Sequence, residues 1–195
     1  MEIYVVRHGQ TDYNVQGFFQ GHIDIPLNNI GIEQAKETAL KFKNIKVDKI
    51  LVSPLKRARQ TAQYISEITG IEFEIEERLI ERSFGNMEGC TNRPDWNIQM
   101  MLDYNRNYTN ENVEPIQSLF KRVYKLLEDI VEKYKNKSVI LVTHGGVSQA
   151  IDCYFLGMPE KADYNYFMSK ALKNCEVRRY MQRKLDGRDF YEKKI

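Results

Sequence analysis

Short apolar runs and longer amphipathic stretches take turns along the chain. Ile3-Tyr4-Val5-Val6, Lys49-Ile50-Leu51-Val52 and Val139-Ile140-Leu141-Val142 are compact runs rich in β-branched residues, the pattern of strands. Residues 72–75 predict a further short strand. Between these runs, residues 31–43 carry Ile32, Ala35, Ala39 and Phe42 near helical spacing. Ser53-Pro54 supplies an N-cap and a first helical residue for a helix that Gly70 closes. From Ile116 onward, Leu119, Phe120, Val123, Leu126, Leu127, Ile130 and Val131 fall at steps of three and four, which predicts a core-facing helix. Residues 147–156 predict another helix. Near the end, Asp186-Gly187 lies between residues 177–181 and Phe190-Tyr191 and predicts the turn of a hairpin. Strands divided by helices imply βαβ units, hence an α/β fold with a mostly parallel central sheet.

One stretch breaks this rhythm. Residues 90–114 are rich in Asn, with Arg93, Trp96, Met100, Met101, Arg106 and Tyr108 scattered among them, and hold no sustained period. A loop this long in a compact domain is uncommon unless it covers a site or is disordered, so the segment is expected to be a lid in which Trp96, Met100, Met101 and Tyr108 pack over a ligand, with a helical turn within 96–103.

Composition narrows the classes. At 195 residues the chain has the length of one domain. Its 29 basic and 27 acidic residues leave a formal net charge of +2, with no overall footprint for nucleic acid or an anionic membrane. No apolar stretch approaches the roughly 18 residues that span a bilayer, and Met1-Glu2-Ile3-Tyr4 does not open a secretory signal. A cytoplasmic protein is expected. Cys90, Cys153 and Cys175 are odd in number and lack C-x-x-C pairing, which argues against a disulfide framework or a zinc knuckle. The oligomeric state is not legible, because no repeated apolar seam stands out.

The chemistry gathers at strand ends. Arg7-His8-Gly9 follows the first strand and Thr143-His144-Gly145-Gly146 the fourth, so two of only three histidines share one context, the mouth of a strand in an open sheet. A histidine beside a fixed cation holds its neutral, nucleophilic form, and arginine's fork of donors matches phosphate oxygens. Arg57 lies in the first turn of the helix after the second strand, where backbone N–H groups favour an anion. Glu81 adds an acid beside the glycine-punctuated segment 84–89. No Walker A loop, H-E-x-x-H or EF-hand spacing is present, so neither a metal nor a nucleotide cofactor is expected.

These blocks resemble the histidine phosphatase superfamily, which has the phosphoglycerate mutase-like fold. The resemblance rests on Arg7-His8-Gly9-Gln10-Thr11, Asn14, Gln20-Gly21, Asp24, Pro26-Leu27, Gly31, Gln34-Ala35 and Ser53-Pro54-Leu55-Lys56-Arg57-Ala58 with Gln60-Thr61-Ala62. It continues in the same order through residues 81–89, Arg122-Val123, Thr143-His144-Gly145-Gly146 and Leu172-Lys173-Asn174-Cys175, covering nearly the whole chain. It implies one histidine phosphatase domain over 1–195, a three-layer sandwich with helices on both faces of the sheet. It further implies that His8 is the nucleophile that becomes a phosphohistidine, that Glu81 is the general acid and base, and that Arg7, Asn14, Arg57 and His144 hold phosphoryl oxygens. Gln20, Gly21 and the Gly145 backbone have supporting places in the phosphate site, while His22 has no counterpart. Val113-Glu114-Pro115 stands where many members carry Gly-Glu-Ser; Glu114 keeps the acid and Pro115 suits a first helical turn.

The expected activity is therefore metal-independent hydrolysis of a small phosphorylated metabolite. A cofactor-dependent phosphoglycerate mutase is the first alternative, disfavoured because the chain between the acid segment and Glu114 is short and lacks the mutase wording after Glu81. A non-catalytic phospho-ligand binding module is the second, disfavoured because both His8 and Glu81 are present. Arg82, Arg93 and Arg106 are placed to read a leaving group.

Overall fold

The computed structural model describes residues 1–106, 108–185 and 188–194. Six strands form one sheet in the order β3-β2-β4-β1-β5-β6. The strands are β1 (Glu2–Arg7), β2 (Lys49–Val52), β3 (Phe73–Ile75), β4 (Ser138–Thr143), β5 (Val177–Leu185) and β6 (Arg188–Lys194). The first four are parallel to one another, and β5 and β6 add an antiparallel margin. The expected terminal hairpin is thus present as a strand pair, whereas its turn residues Asp186 and Gly187 lie outside the described residues.

Alternation along the central strands feeds two cores. Ile3, Val5, Leu51, Val139 and Leu141 point to one face, beneath α5 (Ile116–Lys133) and α6 (Gly145–Leu156). Tyr4, Val6, Ile50, Val52, Ile140 and Val142 point to the other, where residues of α2 (Asn29–Leu40) and α3 (Lys56–Thr69) pack. With both faces covered, the central strands are apolar throughout, as their sequences require. The stripe on α5 buries Ile116, Leu119, Phe120, Val123, Leu126, Leu127 and Ile130, each stabilising by about 1.5–3 kcal/mol relative to exposure. The three-layer sandwich expected for the chain is what these helices make.

Two helix starts depart from the caps expected for them. Helix α3 begins at Lys56 with Leu55 as its N-cap, and Leu55 makes no side-chain cap. Ser53 is drawn away from capping because its hydroxyl meets a buried imidazole. Pro115 is the N-cap of α5 rather than part of its first turn. Its φ of −54° and ψ of 137° are extended, so the chain enters the helix one residue later.

The irregular segment contains the expected helical turn, α4 (Ile98–Met101), preceded in the chain by the short α1 (Asp12–Gln16) and followed by α7 (Tyr164–Lys170). Its packing differs from the expectation that Trp96 and Tyr108 cover a ligand. Trp96, Met101, Tyr108 and Val113 instead close on Met87 as a small separate core. Among the described residues no helix is long and apolar enough to cross a membrane. The three cysteines are unpaired, and burial pushes the Cys153 and Cys175 thiols up to about 11.

Candidate active site

A cavity of about 420 Å³ opens at the C-terminal ends of the parallel strands. Its inner end is lined by Arg7, His8, Asn14, Gln20, Gly21, Arg57, Glu81, Gly145 and Gly146. Of the residues expected to hold the phosphoryl group or act on it, His144 is the exception, being fully buried beside the cavity with its ring centroid 5.1 Å from that of His8. Parallel pairing explains the meeting of the two histidines. Arg7 is opposite Thr143 in the β1–β4 register, so each histidine is the first residue beyond its strand.

His8 is 2 % exposed, and its Nδ1 lies 2.7 Å from the Gly9 carbonyl oxygen. A carbonyl only accepts, so Nδ1 carries the proton and Nε2 keeps a lone pair. Burial, followed by the charges of Arg57 and Arg7, holds the His8 imidazole well below its ordinary value. The ring is a neutral base with one free nitrogen.

Around it, donors outnumber partners. Arg57 gives one Nη to the Ile23 carbonyl and the other to that of Gly21, both at 2.8 Å, and its Nε has no partner among the described residues. Arg7 binds the Leu172 carbonyl and likewise leaves its Nε without a partner among the described residues. Burial lowers Arg7 and brings Arg57 down to about 10, and a guanidinium keeps its proton in proteins, so both supply positive charge. The two amides are oriented by their neighbours. Asn14 Oδ1 accepts from the Thr11 N–H at 3.1 Å and from Asn174 at 3.2 Å, which leaves the Asn14 NH₂ for the cavity. Gln20 Oε1 accepts from the Thr11 hydroxyl at 3.0 Å, with the same result.

Glu81 faces this cluster from the segment after β3. One carboxylate oxygen accepts the Arg82 N–H at 2.9 Å and the other the Gly146 N–H at 3.2 Å, at the start of α6. Its backbone is also held, since the Glu81 carbonyl accepts from His22 Nε2 at 2.9 Å and from Arg122 at 3.1 Å. His22 therefore props the acid's backbone and does not line the cavity. Glu114 pairs with Arg122 and accepts the Ser83 N–H, so the acid of the Val113-Glu114-Pro115 departure anchors the same segment.

The outer wall is mostly apolar: Phe18, Phe19, Phe84, Ile98, Leu102 and Met168 contribute. Of the three loop arginines, only Arg82 reaches the cavity. Arg93 stacks on Trp96 at 4.4 Å, and Arg106 pairs with Asp103.

Sequence reasoning missed two supports. Thr61 accepts the Gly9 N–H and donates to the Arg57 carbonyl, tying the nucleophile's loop to α3. Asn174 donates to the His8 carbonyl as well as to Asn14. Both lie in blocks that carried the resemblance, yet nothing in the residue pattern itself shows which side chains will meet.

A neutral histidine with a free nitrogen, guanidinium groups with buried unpartnered Nε atoms and an acid in the same cavity suit phosphoryl-transfer chemistry. The chain matches the model of the histidine phosphatase superfamily (branch 1) over residues 3–184 and belongs to that family. It is 35% identical over 177 residues to "Putative phosphoserine phosphatase 2" of Hydrogenobacter thermophilus, covering 87% of this chain and 85% of that one. It is 34% identical over 158 residues to "Phosphoglycerate mutase-like protein 4" of Arabidopsis thaliana, covering 77% and 69%. A mutant phosphoserine phosphatase from Entamoeba histolytica, solved with phosphoserine, matches with a TM-score of 0.82 at 29% identity, covering 97% and 94%.

Proposed function

We propose that the protein is a phosphomonoesterase, a single domain that hydrolyses a small phosphorylated metabolite through a phosphohistidine on His8. The observation that carries this reading is the bare Nε2 of His8 in a cavity also lined by Arg7 and Arg57, whose buried Nε atoms have no partner among the described residues. His8 Nε2 attacks phosphorus while Arg7, Arg57, Asn14, Gln20 and the α6 start at Gly145 take the charge on the phosphoryl oxygens, with His144 beside them. The bond from phosphorus to the alcohol oxygen breaks, and Glu81 in its acid form delivers the proton. Water then attacks the phosphohistidine, the Glu81 carboxylate removes its proton, the P–N bond breaks, and phosphate leaves with His8 restored. The arginines supply the positive charge, so the reaction needs no metal.

The apolar outer wall supports a substrate whose alcohol portion presents a hydrocarbon face, with Arg82, Asn92 and Gln149 left for its polar groups. Mutase action would require the phosphoryl group to be returned to a second bound substrate before water reaches it. A metabolite panel assayed with chelator present tests the reading: phosphate release from at least one small monoester is expected. Failure to hydrolyse any of them, generic aryl phosphates included, would overturn it.

A further inference from the structure

Ser53 and His144 follow neighbouring parallel strands in register. Val52 of β2 is opposite Val142 of β4, and the Ser53 N–H extends the ladder to the Val142 carbonyl at 3.1 Å. Just beyond the ladder the side chains meet, with Ser53 Oγ 2.7 Å from His144 Nε2. Both residues are fully buried, and His144 Nδ1 has no partner among the described residues.

Two tautomers fit this contact, and they differ in what they leave unpaired. If Nε2 carried the proton, the serine O–H would be a buried donor without an acceptor, and Nδ1 an unpaired buried lone pair. If the serine donates to Nε2, its oxygen still accepts the Leu55 N–H at 3.4 Å. Only the Nδ1–H is then unpaired. Buried polar groups without partners are destabilising, so the second arrangement is favoured.

Location of the proton matters because His144 is neutral. Burial, with the charges of Arg57, His8, Arg7 and Arg122, holds it well below the ordinary imidazole value. A neutral ring has one N–H. Presented to an anionic oxygen, that N–H attracts, whereas a lone pair in its place repels. Arg7 Nε and Arg57 Nε are also buried donors without partners, so the cluster has three such donors suited to one anion.

We propose that Ser53 is a positioning residue whose hydroxyl holds His144 in the Nδ1–H tautomer, making the ring a donor to a phosphoryl oxygen beside His8. The identity of the acceptor rests on the phosphatase reading. The tautomer does not.

The test is a long-range ¹H–¹⁵N correlation spectrum of the labelled protein, in which only three histidines need assignment. The parent is expected to show His144 protonated at Nδ1 and bare at Nε2. Ser53→Ala should move His144 toward the Nε2–H form and weaken inorganic phosphate binding about tenfold, the scale of one hydrogen bond to a charged group. Ser53→Thr, which keeps the hydroxyl, should retain the parent's tautomer and affinity. A parent protonated at Nε2 overturns the proposal without recourse to any variant. So does an alanine variant with the parent's tautomer and phosphate affinity. A protein that hydrolyses no monoester but whose His144 tautomer follows the hydroxyl would refute the phosphatase reading and uphold Ser53 as the group that sets the tautomer.

Discussion

Gly146 stands where any side chain would strike Glu81. Its N–H donates to one Glu81 carboxylate oxygen at 3.2 Å, and a Cβ built on it would lie 2.8 Å from the other. The acid is thus seated on the first turn of α6, with its position set by bare backbone. Gly146→Ala should displace the carboxylate without disturbing the arginines. Hydrolysis of an alkyl phosphate should fall at least about tenfold while phosphate inhibition stays near the parent's value. Unchanged alkyl turnover would show that the carboxylate has room to move.

Glu81→Gln probes the acid itself. A leaving alkoxide needs a proton and nitrophenolate needs little, so alkyl phosphate turnover should drop by about 10²- to 10⁴-fold and nitrophenyl phosphate turnover far less. Steady-state rates with both substrates check this. Equal losses in the phosphorylation step would reduce Glu81 to a structural group.

Arg57→Ala removes a guanidinium that holds the Gly21 and Ile23 carbonyls, lines the cavity and, on the proposed mechanism, also takes phosphoryl charge. Turnover should fall by about 10²- to 10³-fold, with vanadate inhibition weakened as well. Vanadate affinity equal to the parent's would show that this arginine only anchors the loop.

The buried histidines link stability to pH. His8 and His144 are held neutral in the fold, so below about pH 6.5 the unfolded chain binds protons that the native protein refuses. Their contribution is complete above the unfolded imidazole value and declines as pH falls, by at most about 1.4 kcal/mol per pH unit for each histidine. Urea unfolding across that range should show a shallower decline in His8→Ala than in the parent. Identical slopes would mean that His8 titrates normally in the fold.

The parallel strands and the amphipathic α5 were legible because burial on both faces, or along one stripe, writes itself into apolar spacing. The strand-end positions of His8 and His144 and the first-turn position of Arg57 in α3 followed from the same reading. Packing between distant segments was not legible. Ser53 before Pro54 has the residue types of a helix start, and only the β2–β4 register brings it to His144. Trp96 and Tyr108 look equally suited to covering a ligand or to closing on Met87, since an apolar side chain carries no record of which apolar surface it will meet. His22 shows the same limit, because its target is a backbone carbonyl, which every residue has.

Substrate choice should therefore follow the residues of the 90–114 segment that line the cavity, not the whole segment. Ile98→Ala and Leu102→Ala are expected to shift kcat/KM ratios among phosphomonoesters by about 10-fold, the scale of a few methylenes, while sparing small activated phosphates. A uniform fall for every substrate would assign these residues to stability instead.

The most direct measurement is to quench the enzyme in acid during turnover of a phosphomonoester and map the phosphorylated peptide by mass spectrometry under conditions that spare phosphohistidine. An acid-labile phosphoryl group on the peptide containing His8, absent from a folded His8→Ala variant that has lost turnover, is the predicted result. Phosphate release that proceeds at the parent's rate in His8→Ala, or a phosphoryl group found on another residue, would contradict it.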